Sequence, residues 1–218
     1  MDTICKEPFA KPPRRDRLDD VVKGIDYAAS RGIKPIKINA VLMPGVNDHE
    51  APELVDWALG RGYQLRFIEQ MPLDADHQWD RDNLITAHDI KEQLSIKYDL
   101  TPHPAPRKSS PAMLWDVHRM GSPDVLGQVG IIASVTEPFC AACTRTRITS
   151  DGKVRSCLFS LTETDLMGAM RSGASDEEVA AIWQNAMWNK PAAHGKNSAG
   201  FEAEDFVQPE RSMSAIGG

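Results

Sequence analysis

Three of the four cysteines in this 218-residue chain fall within eighteen residues, and that clustering constrains the fold more than any other feature of the sequence. Cys140 and Cys143 form a C-x-x-C pair, and Cys157 follows after thirteen residues. Two cysteines at that spacing can hold one metal centre through both sulfurs, and a third thiolate delivered across a hairpin closes one face of it. Spacing alone leaves several readings open. They are an open zinc site, a zinc site completed by a distant His103, His118 or His194, an iron–sulfur cluster with one iron left free, and unliganded thiols. Cys5 has no companion until Cys140, and four cysteines in a chain this long do not make a disulfide framework.

The neighbours of the cysteines add a second kind of chemistry. Arg145 and Arg147 stand two apart just after Cys143, so in extended backbone they point the same way. Two guanidiniums beside a metal make a strong phosphate pocket, since each offers a planar fork of donors; the same pair could also be ordinary surface arginines. An open metal position beside an arginine pair suggests a nucleotide, its base on the metal and its phosphates on the arginines.

Upstream, the hydrophobic pattern changes period repeatedly. Leu18, Val21, Val22, Ile25, Ala28 and Ala29 predict an amphipathic helix over 17–31, stopped by Gly32. Residues 35–42 alternate as a strand, with Ile36, Ile38, Ala40 and Leu42 on one face and Lys37 and Asn39 on the other. A turn at 44–48 leads to a helix over 49–60 and a second strand over 65–69. Strand, helix, strand with short connections is the mark of a parallel βαβ unit. Lys37, Asn39 and Arg66 inside such strands are costly unless something pairs with them, and a barrel whose inner face takes an anion offsets that cost.

Residues 72–83 read as a loop, and a third helix is expected over 86–98 with Thr86 as its N-cap. Pro102, Pro104, Pro106 and Pro111 then mark a connector, which places the domain division at 1–100 and 101–218. Short strands over 112–120 and 128–136 follow, then the cysteine segment with Asp151-Gly152 as a hairpin turn, and helices near 163–172 and 176–189. The fold class is therefore α/β, followed by a smaller α+β domain.

No apolar run approaches the roughly 18 residues of a membrane helix, and no signal-peptide pattern opens the chain, so a cytoplasmic protein with no membrane partner is expected. A net charge of −6 argues against nucleic acid as a partner, and the basic run Arg14-Arg15-Asp16-Arg17 reads as a solvated helix start.

Taken together, Phe139 to Arg147, Asp151-Gly152-Lys153 and Ser156-Cys157-Leu158-Phe159 resemble the second-cluster motif of the radical S-adenosylmethionine GTP 3′,8-cyclases of molybdenum cofactor biosynthesis. Residues 36–43 with Gly45-Val46-Asn47-Asp48 resemble that family's late barrel strand and turn, and residues 65–71 resemble the next strand. Gly217-Gly218 matches the family's terminal double glycine. The resemblance runs through nearly the whole chain. It implies the C-terminal part of a partial (β/α)6 barrel followed by the cluster domain. It also implies a lyase that converts GTP to 3′,8-cyclo-7,8-dihydro-GTP.

Residue by residue, the resemblance implies that Cys140, Cys143 and Cys157 hold a [4Fe–4S] cluster whose free iron meets guanine. Arg145, Thr146 and Arg147 would contact GTP, with Lys37 and Arg66 reaching it from the barrel. Met71 would touch S-adenosylmethionine, and Gly217 and Gly218 would support catalysis. Relatives also pair as dimers, which makes a homodimer an implied partner. The family's other cluster, which cleaves S-adenosylmethionine, uses a C-x-x-x-C-x-x-C motif that this sequence lacks. The chain is thus expected to begin after the fourth barrel strand and to have no cyclase activity alone. The competing reading is a non-catalytic nucleotide- or zinc-binding fragment.

Overall fold

The computed structural model describes residues 1–5, 17–74, 79–140, 143–190 and 208–216. Arg14 and Arg15, His194 and the terminal Gly217 and Gly218 lie outside the described residues. The chain forms two compact units, one from residues 1–70 and 81–136, the other from 71–80 and 137–218.

The first unit is a mixed α/β layer. After helix α1 (Leu18–Ser30), strand β1 (Lys37–Ala40), helix α2 (Ala51–Leu59) and strand β2 (Gln64–Ile68) make the expected βαβ unit. β1 and β2 run parallel with Lys37 opposite Gln64 and Asn39 opposite Arg66. Helix α3 (Ala87–Ser95) leads to β3 (Tyr98–Pro102), β4 (Met113–Arg119) and β5 (Val125–Ile132). The sheet order is β1-β2-β5-β4-β3, with β5 parallel to β2 and β4 antiparallel to both of its neighbours.

Alternation along the strands decides which face is buried. Ile38, Ala40, Leu65, Phe67, Val129, Ile131 and Val117 form one continuous core with Leu54, Val55 and Ala58 of α2 and Ile90 and Leu94 of α3. Phe67 and Leu54 are completely buried, and side chains of that kind each contribute about 2–3 kcal/mol. The apolar stripe of α1 is weaker than its pattern implies. Leu18 is buried, but Val21 is 38% exposed.

Two expectations shift. The division expected after residue 100 falls inside β3, because the strands read as a second domain pair back onto β2. Helix α3 ends at Ser95, short of residue 98. Tyr98 continues the four-residue spacing of Ile90 and Leu94, but its burial comes from a strand position and its hydroxyl donates to Asp56. Thr86 caps α3 as expected, in a reciprocal capping box with Asp89.

β2 also gains β5 as a neighbour, so the parallel pair is not left open on that side. On the outer side of β1, Val41 N–H donates to Asp2 Oδ1 at 3.1 Å. Asn47 Nδ2 ties the Asp2 carbonyl and the Val41 carbonyl to the following turn.

At the carboxyl end of β2 lies a buried polar knot. Glu69, 1% exposed, accepts from the backbone N–H groups of Ala87, Val135 and Thr136 at 2.8–2.9 Å and from the Thr136 hydroxyl. One carboxylate therefore joins the start of α3 to the segment after β5.

The second unit holds a small antiparallel sheet of β6 (Arg147–Ile148), β7 (Lys153–Arg155) and β8 (Thr164–Asp165), in that order. Asp151-Gly152 makes the hairpin turn between β6 and β7. Gly152 has φ of 77°, and a Cβ there would meet Met167 at 2.3 Å, so glycine is required. Helices α4 (Leu166–Arg171) and α5 (Asp176–Trp188) pack on each other and on β7. Ser175 caps α5 in a second capping box with Glu178. Among the described residues, no helix is long and apolar enough to cross a membrane.

Candidate functional site

In the second unit the fold gathers the cysteine segment around the β6–β7 hairpin. Cys143 N–H donates to the Cys140 carbonyl at 3.0 Å. Cys157 lies just beyond β7, where Ser160 N–H closes a turn on its carbonyl at 3.2 Å. Among the described residues, no three Cys, His, Asp or Glu side chains converge on a single-ion site. The histidines considered as fourth zinc ligands in the first unit are occupied. His118 contacts Thr101 and the Pro123 carbonyl, and His103 contacts Asp116.

The thiols differ electrostatically. Burial opposes ionisation of Cys143, but a hydrogen bond from the Arg145 backbone and the charge and hydrogen bond of Lys190 outweigh it, holding this thiol below its usual range. Burial pushes the Cys157 thiol up, against the Phe159 backbone and the Lys190 charge. The two sulfurs also act on each other and on Arg147, so they share one neighbourhood. The surroundings therefore favour the thiolate a metal would need at Cys143 and oppose it at Cys157.

Lys190 was not legible as a site residue. It stands just past Asn189, the C-cap of α5, where a lysine reads as a counterweight to the helix dipole. Instead its ammonium donates to Cys143 Sγ at 3.4 Å and to the Arg145 carbonyl at 2.6 Å. It therefore fastens the cysteine segment at two points.

The arginine pair is less symmetric than the extended reading implied. Arg145 is exposed and lies over the Phe139 ring at 4.9 Å. Arg147 sits on β6 opposite Arg155, half-buried, and burial together with Arg145 lowers its pKa. The Thr146 hydroxyl is turned to the Arg155 carbonyl at 3.4 Å. Neither Arg145 nor Lys190 pairs with a carboxylate among the described residues, which leaves positive charge beside the sulfurs.

Behind the hairpin, an ion-pair network takes up the remaining cations. Buried Arg155 donates to Glu163 Oε1 at 2.6 Å, and Arg211 bridges Glu163 and Asp151. Arg211 precedes Met213–Ile216, whose Ile216 is fully buried and whose Met213 N–H donates to the Leu73 carbonyl. Burial raises Glu163, yet Arg155 and Arg211 outweigh it and hold the carboxyl below its usual range. A depressed carboxyl stabilises the fold above its ordinary value of about 4.3 and loses that contribution as pH falls further. Glu163→Ala is expected to cost on the order of 3 kcal/mol at pH 7, because it strips the charge partner from a buried arginine. Urea titrations at pH 7 and pH 3.5 check this, with the gap between variant and parent shrinking at the lower pH.

In the first unit, Lys37 and Asn39 on β1 share the sheet face opposite the core, as the alternation predicted, and Arg66 on β2 joins them there. Lys37 is exposed and Arg66 is half-buried, and burial lowers the Arg66 pKa. No carboxylate among the described residues pairs with either. Met71, half-buried, belongs to the second unit. Gly217 and Gly218 lie outside the described residues, so their role stays an expectation.

Residues 63–196 match the family model described as Molybdenum Cofactor Synthesis C. The chain belongs to that family. A GTP 3′,8-cyclase of Paenarthrobacter nicotinovorans is 56% identical over 224 residues, covering all of this chain and 63% of that protein. Proteins of the same name from Corynebacterium glutamicum and Mycolicibacterium smegmatis are 50% and 52% identical over 218 residues, again covering all of this chain. The chain spans 56–63% of the length of these molybdenum cofactor relatives. The family match contains the whole cysteine segment, β2, Lys190 and the hairpin.

Proposed function

We propose that this chain supplies the substrate side of a GTP 3′,8-cyclase, a radical S-adenosylmethionine lyase of molybdopterin synthesis. The observation that carries the reading is the cysteine segment. It lies inside the matched family region, holds Cys143 toward its thiolate form, and sits beside Arg145 and Lys190, which have no carboxylate partner among the described residues.

In this reading Cys140, Cys143 and Cys157 hold a [4Fe–4S] cluster. Bound through three thiolates, it supplies one iron open to the guanine base. Arg145 and Arg147 take phosphate oxygens, with Thr146 fixing the backbone between them. Lys37 and Arg66 add charge from the polar sheet face, which corresponds to the inner wall of a partial barrel. Met71 contacts S-adenosylmethionine, and Gly217-Gly218 reaches the reaction centre. The sequence has no C-x-x-x-C-x-x-C motif, so this chain alone does not cleave S-adenosylmethionine. Cytoplasmic location and homodimer formation belong to the same reading.

Joint replacement Arg145→Ala with Arg147→Ala is expected to weaken GTP binding to the reconstituted chain at least about tenfold, since each lost charged hydrogen bond is worth about 1.5–3 kcal/mol. Calorimetric titration checks this, and unchanged affinity would remove the phosphate role. Lys190→Met is expected to lower cluster affinity about tenfold, the usual cost of removing a partner that orients a ligand. Iron retention during chelator challenge reads that effect, with Lys190→Arg recovering part of it.

A further inference from the structure

The polar face of the first sheet carries a hydrogen-bonded chain that runs across three strands. Arg66 donates through Nε and Nη2 to Gln64 Oε1, both at 3.2 Å. Gln64 Nε2 donates to Gln128 Oε1 at 3.3 Å. Gln128 Nε2 lies 3.1 and 3.4 Å from the two ring nitrogens of His103. His103 Nδ1 meets Asp116 Oδ1 at 2.8 Å. The Arg66 stem lies flat over Gly130, where a Cβ would meet its Cγ at 3.0 Å.

The two ends fix the direction of this chain. A guanidinium only donates and a carboxylate only accepts. Gln64 therefore accepts from Arg66 and donates to Gln128, and the Gln128 amide closes the chain on the His103 ring, which Asp116 holds at Nδ1.

We infer that Gln64, Gln128, His103 and Asp116 are positioning residues that aim the Arg66 guanidinium. The inference rests on Arg66 as a guanidinium kept for an anionic ligand, the role given to it above. It adds that an anion meets a preorganised Arg66.

The test follows the Arg66 Nε–H by NMR in the chain without nucleotide, its signal assigned by its loss in Arg66→Lys. The chain predicts that Gln128→Leu lowers that protection roughly tenfold, the size of one lost hydrogen bond. Gln128→Glu is the decisive variant. Its carboxylate still accepts from Gln64, so it should keep Arg66 protected. Equal protection in all variants, or a loss in Gln128→Glu as large as in Gln128→Leu, would overturn the inference. Failure of GTP to bind the parent chain would count against the proposed function and leave this readout untouched.

Discussion

Cys157→Ala is expected to leave the chain unable to assemble its cluster, with iron falling from about four per chain to near none. Cys157 is the sulfur that comes from across the hairpin. Its thiol is the one that burial pushes up, so metal binding must displace the more reluctant proton there. GTP affinity should fall with the cluster. Iron and sulfide analysis after anaerobic reconstitution, set beside a GTP titration, reads both effects. Circular dichroism separates them from misfolding, because the hairpin is held by the Arg155–Glu163–Arg211 network and not by the thiol. Retention of a full iron complement would remove Cys157 from the ligand set.

The second large effect concerns stability. Glu69→Ala is expected to cost about 3–5 kcal/mol, because three backbone N–H groups, two of them buried, and a hydroxyl lose their acceptor together and each orphaned buried donor costs about 1–3 kcal/mol. That corresponds to a fall in melting temperature of roughly 10 °C or more for a chain of this size. Glu69→Gln should cost less, since its remaining oxygen still accepts on one side while its amide N–H opposes the donors on the other. Urea denaturation followed by circular dichroism measures both. A cost under about 1 kcal/mol for Glu69→Ala would mean that the end of β2 and the start of α3 are held by packing alone.

Much of the first unit was legible because its signals are local. The alternation at Ile36, Ile38, Ala40 and Leu42 and the capping pair Thr86 and Asp89 each act within a few residues. The polar partners Lys37 and Asn39 fell on one face for the same reason, the two-residue period of a strand. The sheet order was not legible, since the return of β5 to β2 joins residues about sixty positions apart and no local pattern encodes it. Tyr98 shows how a buried residue can keep helical spacing while standing on a strand. At the site, the cysteine spacing pointed to a metal as an expectation, but Lys190 acts over forty-seven positions and gave no periodic sign. The same holds for His103, Asp116 and Gln128, ordinary polar residues whose chemistry appears only once the strands align.

The measurement that tests the central reading most directly is anaerobic reconstitution of the unaltered chain, with metal and sulfide analysis followed by a GTP titration. The account predicts about four irons and matching sulfide per chain, with GTP binding that requires the cluster. Zinc in place of iron, or a full cluster that leaves GTP unbound, would contradict it.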